Sequence, residues 1–485
     1  MKTQGITLLG LGPGDPKLLT REVWSVLQNA SEIYLRTCQH PTISGLPEGV
    51  QVHSFDHLYE NFESFEEVYG EIVTQVLNLG SRPEGVIYAV PGHPFVAEST
   101  GPEIYRQAKR AGIPVRVCDG LSFLESVFSA LGIDPYPHTA LVDALTLVTG
   151  HHPPFPPSTP ALIAQIYDAY IAAEVKLNLM NLYPDEHPVK LVHASGTDEM
   201  VIEEIYLYEI DRSPHIGLTT VLYLPPIGEC TSFEGLQEIA AHLRAPEGCP
   251  WDRVQTHQSM RPHLMEEAYE VLAAIDAGEP AKIQEELGDL MMVITMLMQI
   301  GEEEGDFTSA DVIGSISTKL IRRHPHVFED LQLEGEQAVL QNWEKLKAEE
   351  RVANGEAESG LLTGVSIALP ALTQAQEYQS RAARVGFDWK GIEGVIEKVV
   401  EELGEVRNAP DDVSRSQELG DLLFSLVNLS RWYGVDAESA LRAANARFQK
   451  RFSYIEASAR ARGRELTTMS VEELDAIWDE AKGKQ

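Results

Sequence analysis

Residues 399–429 read VVEELGEVRNAPDDVSRSQELGDLLFSLVNL. Glu402 and Glu405 stand three apart, as do Glu418 and Asp421, and each pair lies in a segment with helical apolar spacing. Residues three apart share one face of a helix. The intervening NAPDD carries turn residues, so the spacing predicts two helices folded back on each other with four carboxylates at one point. Such a cluster repels itself unless a divalent cation holds it, and oxygen-only ligands suit Mg²⁺ or Mn²⁺.

The stretch has an earlier, altered copy. EEAYEV at 266–271 parallels EELGEV at 401–406, and EELGDLMMVITML at 285–297 parallels QELGDLLFSLVNL at 417–429. Glu402 follows Glu267 by 135 residues and Glu418 follows Glu286 by 132, so one whole unit is duplicated. A single Glu pair is ordinarily a solvated helix face. Two copies of ExxE followed by ExxD, each framed by apolar helix, point instead to two metal sites: Glu267, Glu270, Glu286 and Asp289, then Glu402, Glu405, Glu418 and Asp421.

The 485 residues have room for roughly three domains at about 150 residues each. With 43% hydrophobic and 23% charged residues, the composition is that of globular protein. A formal net charge of −36 argues against general nucleic-acid or membrane-surface binding, and an anionic substrate would need a metal and local basic groups. Cys38, Cys118, Cys230 and Cys249 show no CxxC spacing, as expected in a reducing compartment. The N-terminal apolar run is broken by glycines, unlike a signal peptide, and the longest apolar run, Leu290–Met298, is far too short to span a bilayer. The expected location is the cytoplasm.

In chain order, Ile6–Leu9 reads as a buried strand entering Gly10-Leu11-Gly12-Pro13-Gly14. Asp15 as N-cap and Pro16 at the first helical position predict a helix through about Gln28. The loop lacks the third glycine of GxGxxG, and no GK[ST] follows, so neither dinucleotide nor Walker binding is indicated. Further strands are expected at Gly85–Val90, Ile113–Cys118, Ala161–Tyr167, Lys190–Ala194, Ile202–Glu209 and Leu218–Leu224, with the proline-rich 151–160 as a loop or hinge between two lobes. The loops Pro91-Gly92-His93-Pro94 and 119–124 end strands and precede helices, where open α/β sheets place ligands. Helices follow at Phe233–Leu243, Met260–Ile275, Ala281 to about Gly301 (its Met291, Met292, Met296 and Met298 expected in the core) and from Ser309. His257 and His263, near the first carboxylate helix, read as surface or capping residues, with zinc ligation as the alternative. Residues 348–360 read as a linker, giving domains 1–225, 226–350 and 351–485.

LGLGPGDP at 9–16, YAVPGHPFVAE at 88–98 and VCDGLSFLESVFSALGI at 117–133 resemble the tetrapyrrole methylase family, which binds S-adenosylmethionine between two α/β lobes. The resemblance implies cofactor contacts from Pro91, Gly92, His93, Pro94 and Val96 and from Ser122, with Gly12 and Pro13 facing the acceptor; His93 stands where Asp is usual. CPWDRVQTHQSMRPHLMEEAYEVLAAI at 249–275, EELGDLMM at 285–292 and KLIRRHPHVF at 319–328 resemble the MazG family of nucleoside triphosphate pyrophosphohydrolases. VGFDW, EELGE, ELGD and NARFQKRF repeat that resemblance in the second copy. It implies metal ligation by the eight carboxylates above and phosphate contact by Lys398, Arg447 and Arg451, with base or sugar contact by Asn445 and Trp478. Lys319, Arg323 and Trp343 take comparable places in the first copy.

The implied fold is a two-lobed α/β domain followed by two all-α modules. The implied reaction is NTP or dNTP plus water to NMP and pyrophosphate, with Glu401 or Glu402 orienting or deprotonating the water. A two-helix carboxylate site needs further helices to bury its apolar faces, so a homodimer, or pairing of the copies within the chain, is expected. Two alternatives stay open: a methyltransferase whose helical half is an assembly platform, and a hydrolase regulated by S-adenosylmethionine.

Overall fold

The computed structural model describes residues 4–62, 64–335, 338–339, 342–343, 345–346, 349–350 and 360–483. It forms two compact units, one ending at Thr256 and one starting at His257. Most of the expected linker 348–360 lies outside the described residues.

The first unit holds two sheets. Strands β1 (Ile6–Gly10), β2 (Glu32–Leu35), β3 (Gln51–Ser54), β4 (Val86–Val90) and β5 (Val115–Cys118) pair in the order β3-β2-β4-β1-β5, all parallel. A parallel sheet is covered on both faces, so its central strands are apolar throughout. Alternation shows which residue faces which layer: Leu8, Tyr88 and Val90 join one core, Leu9, Ala89 and Cys118 the other. The second sheet, β6 (Ala140–Asp143), β7 (Ala161–Ala164), β8 (Pro188–His193), β9 (Val201–Tyr206) and β10 (Val221–Leu224), has the order β6-β7-β10-β8-β9. Only β6 and β7 are parallel there.

Three sequence expectations change. The helix expected from Pro16 is split: Asp15 caps a single turn at Pro16–Leu18, and Thr20 caps a separate helix, Arg21–Asn29. The proline-rich 151–160 is not the hinge between lobes. It lies inside the second lobe, after the helix Ala144–Thr149, where it completes the crossover that parallel β6 and β7 require. The chain passes between lobes through the helix Phe123–Leu131. Strands β2, β3 and β6 are additional to those expected from the sequence; each is four residues long and includes at least one polar residue.

The second unit is helical. In the first copy His257–Ala277 and Pro280–Glu304 form a hairpin turning at Gly278, whose φ of +68° suits glycine; Ser309–Arg323 and Pro325–Phe328 follow. In the second copy Ile392–Asn408 and Asp412–Trp432 form the matching hairpin, joined by Ala371–Arg384, Ala437–Ala461 and Val471–Lys482. Arg442 links the copies: its side chain lies 3.6 Å from Asp276 and over the Tyr269 ring at 5.4 Å. The hairpins keep much apolar surface outside the core. Val400 is 64% exposed and Leu403 57%, and Leu272, Ile275, Leu423 and Phe424 are also exposed. The methionine expectation holds for Met296 and Met298, which are buried, but Met291 is exposed on this uncovered face.

Candidate active site

The second-copy hairpin is set by its own local chemistry. Asp411 accepts from Ser414 N–H at 2.8 Å and caps the helix Asp412–Trp432, fixing the turn after Asn408. The two helices then bring Glu402, Glu405 and Glu418 together, one oxygen of each within 4.8 Å of the others. The first copy does the same with Glu267, Glu270 and Glu286. Asp421 and Asp289 stand outside these groups of three, although Asp289 is near enough to raise the Glu267 pKa.

Each cluster contains one buried carboxylate held by a lysine four residues earlier. Glu402 is 4% exposed and accepts from Lys398 Nζ at 2.7 Å; Lys398 also reaches Glu401 at 3.0 Å. Glu286 is 3% exposed and accepts from Lys282 Nζ at 2.7 Å, with Glu285 at 3.1 Å. The sequence reading found Lys398 and missed Lys282, although the same i, i+4 rule applies to both. The buried glutamate sits on the first helix of the second hairpin and on the second helix of the first hairpin.

Charge crowding is evident in the proton affinities. Glu405 is raised above 4.5 by burial and then by Glu402 and Glu418. Glu267 is raised by burial, Asp289, Glu266 and Glu286, and Glu270 chiefly by Glu286. The second oxygen of Glu402 is buried and has no hydrogen-bond partner among the described residues. Converging carboxylates with an unsatisfied buried oxygen fit a hard divalent cation. His257 instead faces Glu304 and the Leu297 carbonyl, and His263 faces Glu266, outside both carboxylate groups.

The basic and aromatic candidates lie on other helices. Arg451 lies over Trp478 at 5.5 Å, and Phe448 packs on the same ring at 5.3 Å; Trp478 borders a small core of Ile455, Ala459, Met469 and Ile477. Asn445 and Arg447 are exposed and Lys319 is half-buried. Arg323 lies over Trp343 at 5.9 Å and is engaged by Glu350, a residue the sequence reading passed over.

In the first unit, three loops meet at the carboxyl ends of β1, β4 and β5. A Cβ on Gly10 would lie 2.5 Å from Gly92 O and 2.6 Å from Gly120 N, so only glycine permits this approach. Gly12 and Gly92 bridge through their backbones, and Pro13 packs under Gly196. His93 Nδ1 accepts from Phe95 N–H at 3.1 Å and Nε2 faces Asp119 at 3.3 Å, which locks the ring in the Pro91–Val96 loop. Pro94 is buried, Pro91 and Val96 are half-buried, and buried Ser122 caps the helix Phe123–Leu131 with Glu125.

Known proteins divide the chain along the same line. Residues 5–211 match the Tetrapyrrole (Corrin/Porphyrin) Methylases model and residues 255–328 the MazG nucleotide pyrophosphohydrolase domain. The Bacillus subtilis protein YabN is 43% identical across 98% of both chains. The Thermotoga maritima nucleoside triphosphate pyrophosphohydrolase/pyrophosphatase MazG is 45% identical over 52% of this chain and 96% of its own. The Escherichia coli K12 nucleoside triphosphate pyrophosphohydrolase is 42% identical over 52% and 97%. A uroporphyrin-III-C-methyltransferase structure from Thermus thermophilus is similar to 47% of this chain over 94% of its own, at 20% identity and a TM-score of 0.36. The chain belongs to the MazG family, joined here to a tetrapyrrole methylase-like N-terminal part.

Proposed function

We propose that the chain is a Mg²⁺- or Mn²⁺-dependent nucleoside triphosphate pyrophosphohydrolase acting on NTPs or dNTPs. The observation that carries this is the pair of converging carboxylate groups in a chain of this family. Glu402, Glu405, Glu418 and Asp421 would hold the cation in the second copy, and Glu267, Glu270, Glu286 and Asp289 in the first. When bound, the cation would screen triphosphate charge and make a water more acidic. Glu401 or Glu402 orients that water or takes its proton as it attacks the α-phosphorus. The α-phosphorus to bridging-oxygen bond breaks, and pyrophosphate leaves. Lys398, Arg447 and Arg451 stabilise the phosphate charge, and Asn445 and Trp478 hold the base or sugar; Lys319 and Arg323 are their first-copy counterparts.

The uncovered apolar hairpin faces support a homodimer, in which a partner's helices would cover them. Among the described residues no helix is long and apolar enough to cross a membrane, and we place the enzyme in the cytoplasm, with no role on nucleic acid. In the first unit, the glycine-permitted meeting of three loops supports an S-adenosylmethionine site at Pro91–Val96 and Ser122, with Gly12 and Pro13 on the acceptor side. The domain limits we favour are 1–225, 226–350 and 351–485.

Purified protein incubated with a nucleotide panel and Mg²⁺ should yield NMP and pyrophosphate. Release of single orthophosphate would overturn the reaction. An absence of any hydrolysis would move the assignment to a methyltransferase with a structural metal site.

A further inference from the structure

The helix Ser309–Arg323 ends on two adjacent arginines, and one carboxylate holds both. Glu350 accepts from Arg323 Nε at 3.1 Å and from its Nη2, and Arg322 reaches the same carboxylate. Glu350 is largely shielded, at 13% exposure, and hydrogen bonding from Arg323 holds its carboxyl down at about 2. Arg323 lies at the same time over Trp343, whose ring centre is 6.2 Å from that of His324. A forked guanidinium contact of this kind is the geometry arginine also offers to phosphate.

The second copy repeats the arginine–tryptophan pairing with Arg451 and Trp478. Trp478 follows Trp343 by 135 residues.

We propose that Glu350 is an internal competitor for phosphate in the first copy: it occupies the Arg322–Arg323 pair, and a polyphosphate chain binds there only by displacing it. This rests on the reading of these basic residues as phosphate contacts. No bond is made or broken; one anion replaces another on the same guanidinium groups. A tethered carboxylate acts at an effective concentration on the order of millimolar, so the first copy fills only when its ligand is abundant. The first copy is thus a site gated by substrate level.

The test uses the full chain carrying Glu402→Ala and Arg451→Gln, which disables the second copy, with inorganic tripolyphosphate and Mg²⁺ as the probe in titration calorimetry. Adding Glu350→Gln should tighten the Kd about tenfold. Glu350→Asp, which keeps the charge but shortens the reach, should give a smaller gain and decides the matter should Glu350→Gln fail to fold. Adding Arg323→Gln should remove the gain. Equal Kd values for the parent and both Glu350 variants would overturn the proposal, as would a gain that survives the loss of Arg323. Hydrolysis by the unmodified chain reports separately on the proposed function: a flat Kd series beside intact pyrophosphate release sinks only the competitor role.

Discussion

The two hairpins solve one electrostatic problem in mirror fashion. Each buries a glutamate among other carboxylates, and each gives it an ammonium partner one helical turn earlier. In the first copy that pair is on the second helix, in the second copy on the first helix. Where the second copy has Lys398 the first has His263, and where the first has Lys282 the second has Ser414. A buried carboxylate needs a cation close by, but not from one fixed direction. The direction matters, because the lysine also decides which face of the cluster stays open. Two copies with the same carboxylates are therefore not interchangeable sites.

The largest effect should separate the copies. Glu402→Gln should lower kcat/KM by about 10²–10³, whereas Glu286→Gln should leave pyrophosphate release within about threefold. Equal losses in both variants, measured with the same nucleotide, would make the copies equivalent.

Next come the lysines. Lys398→Met removes the cation that competes with a metal for Glu402, so Mn²⁺ should bind about tenfold tighter even as turnover falls. Lys282→Met should tighten Mn²⁺ at the first copy without slowing turnover. Electron spin resonance of bound Mn²⁺ beside a turnover assay reads both. Weaker metal binding in either variant would mean that the lysine positions the carboxylates for the ion.

The pH dependence follows from the raised carboxylates. Glu267, Glu270 and Glu405 bind protons more tightly folded than their ordinary value of 4.5. The folded state therefore holds more protons than the unfolded state above that value, and stability falls as pH rises from about 4.5. With EDTA the Tm should drop across this window, and Mg²⁺ should reverse the drop more at pH 7 than at pH 5. A Tm that climbs through the same window in EDTA would show that other groups dominate.

The smallest effect concerns packing alone. A Cβ on Gly301 would meet the Phe307 ring at 2.4 Å, so Gly301→Ala should cost about 1–3 kcal/mol in the first copy. At Gly404 in the second-copy hairpin nothing lies within 4 Å of the added Cβ, and Gly404→Ala should not destabilise the chain. Denaturant melts of the two variants check the contrast.

Much of this was legible in advance because helices write their faces into the sequence at three- and four-residue spacing. That rule places Glu402 beside Glu405 and, at four-residue spacing, Lys398 beside Glu402. The same spacing sets Lys282 beside Glu286 in the first copy. It gave no warning of Glu350, since a contact between residues 27 apart has no periodic signature. Strands β2 and β3 carry Glu32, Gln51, His53 and Ser54, which hide the apolar run that marks the equally short β7 and β10.

The sequence by itself determined the duplicated carboxylate pairs, the α/β beginning and the helical remainder, because those depend on local spacing and turn chemistry. Tertiary structure alone decided which glutamates are buried and which carboxylates close into groups of three. It also set the meeting of Gly10, Gly92 and Gly120 and the capture of Arg322 and Arg323 by Glu350. Burial and long-range pairing depend on how separate segments pack, and no window of adjacent residues contains that information.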